Sequence, residues 1–72
     1  MQTTVQLMKT STGWNVHYQS GPRAEVIRSL FGTDILPLPY TSEMSFADAL
    51  AQFVRNTQGV VSSDAAGKVV LS

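Results

Sequence analysis

Thr33-Asp34-Ile35-Leu36-Pro37-Leu38-Pro39-Tyr40-Thr41 lies mid-chain in a sequence of 72 residues, between two segments with helical periodicity, and whatever it forms must join them. Pro37 and Pro39 each lack an amide donor and clash with the preceding turn of a helix, and they bias Leu36 and Leu38 toward extended geometry. Regular helix is therefore excluded. We read the segment as an extended connector. Its Ile35, Leu36, Leu38 and Tyr40 are too apolar for a solvated loop, so several of them are expected to pack across the domain.

On the N-terminal side of the connector, Ala24, Ile27, Leu30 and Phe31 recur at helical spacing, which predicts a helix over Pro22–Phe31. Pro22 suits a first helical position, where an amide would be unpaired anyway, and Gly32 suits a left-handed C-terminal cap. Glu25 and Arg28 stand one helical turn apart. Further back, residues 4–10 and 14–19 read as two strands. The second alternates Trp14, Val16 and Tyr18 with Asn15, His17 and Gln19, and Gly13 falls in the turn between the strands.

On the C-terminal side, Phe46, Ala49, Leu50, Phe53 and Val54 predict a helix over 45–57, with Ser45 as its N-cap and Asp48 near the positive end of its dipole. The last segment, VVSSDAAGKVVLS, reads as two short strands around a turn from Asp64 to Gly67. Val60-Val61 and Val69-Val70-Leu71 put apolar side chains on both faces of that hairpin. A half-solvated antiparallel sheet should not do so. Either the hairpin is covered on both sides, or a face or edge meets another chain, and Val60, Val69, Val70 and Leu71 are the candidate interface.

These elements predict one α+β domain over residues 1–72. An antiparallel sheet is built from N- and C-terminal β-hairpins, two helices pack on one face, and the order is ββ-α-α-ββ. The expected core is Val5, Leu7, Trp14, Val16, Ile27, Leu30, Phe31, Leu36, Leu38, Phe46, Leu50, Phe53, Val61 and Val70.

Composition narrows the function. Five Lys and Arg balance five Asp and Glu, so the field that gathers polyanions around a basic protein is missing. With 43% hydrophobic and 14% charged residues the chain should fold rather than remain disordered. The absence of Cys excludes disulfides and thiolate chemistry. The start MQTTVQLMKT lacks a signal pattern, and no apolar run approaches the roughly 20 residues of a membrane span. The expected location is cytoplasmic, with no membrane contact. A chain this small buries only about 60% of its unfolded surface, so self-association is a natural supplement.

Candidate chemical groups are sparse. His17 is the lone imidazole, placed on the polar face of its strand, and no GxSxG elbow accompanies it. Glu25, Asp34, Glu43, Asp48 and Asp64 are dispersed, without metal-ligand spacing. The glycines mark element boundaries and form neither GxGxxG nor GxxxxGK[ST]. No catalytic, cofactor-binding or metal-binding residue is assigned. Lys9, Arg23, Arg28, Arg55 and Lys68, with Trp14, Tyr18 or Tyr40, are candidate nucleic-acid contacts under an alternative reading. Leu36-Pro37-Leu38-Pro39-Tyr40 lacks the spacing of a PxxP ligand and departs from PPxY at Leu38.

Leu30-Phe31-Gly32-Thr33 followed by Leu36-Pro37-Leu38-Pro39-Tyr40-Thr41, after the Gly13-Trp14 strand start, resembles a pattern in short bacterial proteins of about this length. That resemblance spans about half the chain and implies no activity and no site. The expectation for function is a non-enzymatic protein–protein interaction module, self-associating as a homodimer and presenting a surface to a protein partner. A small nucleic-acid-binding regulator and a phage-type inhibitor of a host enzyme are the alternatives.

Overall fold

A computed structural model describes residues 1–72. It contains β1 (Thr3–Lys9), β2 (Gly13–Ser20), α1 (Pro22–Phe31), β3 (Ile35–Thr41), α2 (Phe46–Asn56), β4 (Val60–Ser63) and β5 (Lys68–Leu71). The strands form one antiparallel sheet in the order β3-β2-β1-β5-β4. The α+β class stands, but the expected order ββ-α-α-ββ is corrected to ββαβαββ, because the Thr33–Thr41 connector supplies a fifth strand.

The prolines permit this because β3 is an edge strand. The Asp34 carbonyl accepts a hydrogen bond from the Tyr18 amide at 2.8 Å, so alternate residues of β3 turn their backbone groups toward β2. Pro37 falls in the other set, and its missing donor faces the free edge. Leu38 pairs with Trp14 and Thr41 with Gly13, so Pro39 and Tyr40 occupy a bulge where a regular ladder is interrupted.

Cross-strand register puts Thr3, Val5, Leu7, Trp14, Val16, Leu36, Leu38, Val69 and Leu71 on one face. Helix α2 covers that face: its Ala49 and Phe53 join Val5, Leu7, Trp14, Val16, Val69 and Leu71 in the buried core. Ser45 caps α2 by accepting from the Asp48 amide at 3.2 Å, and the first turn packs the Phe46 ring edge-on to Trp14 at 5.5 Å. The start of α1 rests on the same face, where the hydroxyl of buried Thr3 accepts from the Arg23 amide at 3.1 Å. Gly32 ends α1 in the left-handed conformation, φ 71°.

The core expectation needs three corrections. Leu30 and Phe31 are 71% and 59% exposed, because only the first turns of α1 reach the sheet; Ala24 is buried and Ile27 half-buried there. Val61 is exposed and Val70 lies half-buried on the uncovered face, whereas Val69 and Leu71 are fully buried. A one-residue difference in register exchanges the two faces of a strand, and the VVL run offers no polar residue to choose between them. Phe46 is likewise at the margin of the core rather than inside it.

Candidate functional site

A concavity on the covered face follows from an imbalance between sheet and helix. Five strands are wider than one helix can cover, and α2 leaves the β4–β5 side of the covered face open. The result is a groove of about 590 Å³. One wall is α2, contributing Phe46, Leu50, Ala51 and Val54, and Ser63 and Ala65 of the β4–β5 hairpin line the other side. Arg55 is its only charged lining residue. Phe46, Leu50 and Val54 stand four residues apart, one turn above another, so a single edge of the helix carries the apolar lining. The hairpin is held by Asp64, whose carboxylate accepts from the amides of Ala66 and Lys68, each at 3.0 Å.

The candidate interface from the terminal hairpin is redistributed by this arrangement. Val69 and Leu71 have no exposed surface and belong to the core, so neither can reach a partner. Val60 is half-buried and packs against that core, and Val70 is half-buried on the other face of the sheet. In the sequence, the groove wall on α2 reads as ordinary core periodicity. Its signal in the sequence was the pair Ala47 and Ala51, small residues flanking the apolar stripe where a solvated helix would carry charge.

The five cations come from four different elements. Arg23 donates to the Gln58 carbonyl at 2.9 Å, Arg28 pairs with Asp34 at 3.7 Å, and the Lys9 ammonium sits 5.8 Å from the Trp14 ring centroid. Arg55 lines the groove, and Lys68 begins β5 opposite Gln6, on the uncovered face. Of the aromatic residues paired with them in the alternative reading, Trp14 is buried and Tyr18 and Tyr40 are half-buried against the core.

His17 donates from Nε2 to the Asp34 carboxylate at 3.3 Å, and Arg28 approaches the same oxygen. This cluster joins β2, the start of β3 and the last turn of α1. No group of three or more His, Asp or Glu side chains assembles with metal-binding geometry. Partial burial pushes the Asp34 carboxyl up, but hydrogen bonds from His17 and its own amide, with the charges of His17 and Arg28, outweigh that and hold it below its ordinary value. A depressed carboxylate stabilises the fold above its unfolded pKa, and the stabilisation is lost as pH falls through the folded one. Asp34→Asn is therefore expected to lower stability slightly above about pH 5, with the gap to the parent closing in more acid solution. Urea midpoints measured from pH 2.5 to 7 would show it; a gap that widens toward acid would contradict the assignment.

No helix is long and apolar enough to cross a membrane. No protein-family model matches the chain, and no curated protein or solved structure matches it significantly.

Proposed function

We propose that this protein is a non-enzymatic interaction module that self-associates, with the α2 groove as its contact surface. The observation that carries the reading is the groove itself: an apolar wall of about three helical turns, open along its length, with a single charge. Such contiguous apolar surface marks interaction sites on small proteins. Two further features support it. Formal net charge is zero, so a second copy meets no long-range repulsion. Val26, Leu30 and Phe31 on α1 are also exposed, which leaves further apolar surface to engage a different protein.

Sedimentation equilibrium across a concentration series tests the reading. A monomer–dimer equilibrium is expected, and Ala51→Glu should weaken it at least about tenfold, the effect of roughly 1.4 kcal/mol. Ala51 is exposed, so circular dichroism should show the fold unchanged. A parent protein that stays monomeric up to millimolar concentration would refute self-association.

A further inference from the structure

The groove could receive a small apolar molecule, an extended peptide or a second copy of the chain. Charge placement along α2 favours the second copy. Asp48 lies in the first turn and Arg55 in the last, seven residues apart, so both fall on the same edge of the helix. Beside them run Ala47, Leu50, Ala51 and Val54 at the spacing of a helix-packing stripe. When two such helices pack antiparallel about a twofold axis near Ala51, Asp48 of each copy meets Arg55 of the other. An isologous contact requires this kind of self-complementarity, and a parallel alignment would instead set Asp48 against Asp48.

The other sheet margins fit the role less well. The β3 edge is blunted by Pro37 and by the Pro39–Tyr40 bulge. The β4 edge has only four residues, and its pairing with β5 is irregular between Val60 and Ser62. Alanines at 47 and 51 let a neighbouring helix approach closely, where larger side chains would hold it off.

We infer that the groove is closed by α2 of a second copy, packed antiparallel on the first, with Asp48–Arg55 pairs at both ends of the contact. The inference rests on the self-association proposed above and specifies its geometry. Because the chain has no Cys, introduced thiols report contacts without background. Ala51→Cys, near the dyad, should oxidise to a covalent dimer; Val61→Cys on the β4 edge and Ile35→Cys on the β3 edge should not. Asp48→Arg and Arg55→Asp should each weaken the dimer at least fivefold. The double variant should recover most of the parent affinity, and an equimolar mixture of the two single variants should give heterodimer in native mass spectra. Recovery in the double variant separates an interface effect from one on the helix dipole, since both charges remain unfavourable to the helix itself.

Dimer formation with crosslinking only at Val61→Cys would place the contact at the β4 edge. Dimer formation lost in Val70→Asp but indifferent to both charge reversals would place it on the uncovered sheet face. Either result keeps self-association and overturns the α2 geometry. A parent protein that is monomeric throughout overturns both.

Discussion

Phe53→Ala is expected to remove a large share of the domain's folding stability at 25 °C. Phe53 is 4% exposed and reaches from α2 into a core of only eight buried residues, so the cavity it leaves cannot be filled by shifting distant side chains. Large-to-small changes of this kind cost about 3–5 kcal/mol. At roughly 0.05–0.15 kcal/mol per residue, the whole domain has a stability of only about 4–11 kcal/mol. The loss is comparable with the total. Phe46→Ala should cost less, because that ring is 36% exposed. Urea titrations followed by Trp14 fluorescence would rank the two, and a Phe53→Ala protein that unfolds cooperatively with less than about 1 kcal/mol lost would show that α2 is not the clamp on the sheet.

Gly21→Ala should destabilise nearly as much, by a different mechanism. Gly21 links β2 to α1 at φ 106° and ψ 174°, a region that side chains occupy only under strain of about 1–3 kcal/mol. A Cβ there would also overlap the Gln2 carbonyl oxygen and Thr3 Cα, the backbone of the central strand. Neither atom can swing away as a side chain could, so the cost should exceed the strain alone and reach about 3 kcal/mol. Gly32→Ala provides the comparison: φ is again positive, at 71°, but a Cβ there meets nothing within 4 Å. Its penalty should be near 1 kcal/mol, the conformational part only. Equal losses at the two glycines would mean that the approach to β1 contributes nothing.

The contrast between those glycines bears on how much of the molecule could be read from residue order. Both look alike in sequence, each a small residue at the margin of one helix. What separates them is that β1, distant along the chain, passes directly against Gly21. The candidate site has the same character. Phe46, Leu50 and Val54 advertise an apolar helix edge, yet periodicity alone says nothing about whether a sheet wide enough to leave that edge open lies beneath it.

Local chemistry determined the elements. Ser45 ahead of a helical stripe, Gly32 after one, alternation from Trp14 to Tyr18, and Asp64 with Gly67 around a tight turn each act within a few residues, and each is found where its chemistry requires. Tertiary structure decided what depends on neighbours. Pro37 is forbidden in a central strand and harmless at an edge, so the Thr33–Thr41 segment became a strand only because β2 offered one free side. Val69 and Leu71, rather than Val70, turned inward because β1 set the register of β5, through pairs such as Val5 with Val69. Propensity and capping are short-range and present in the unfolded chain as biases, whereas register, edge position and the width of the sheet exist only once distant strands have met.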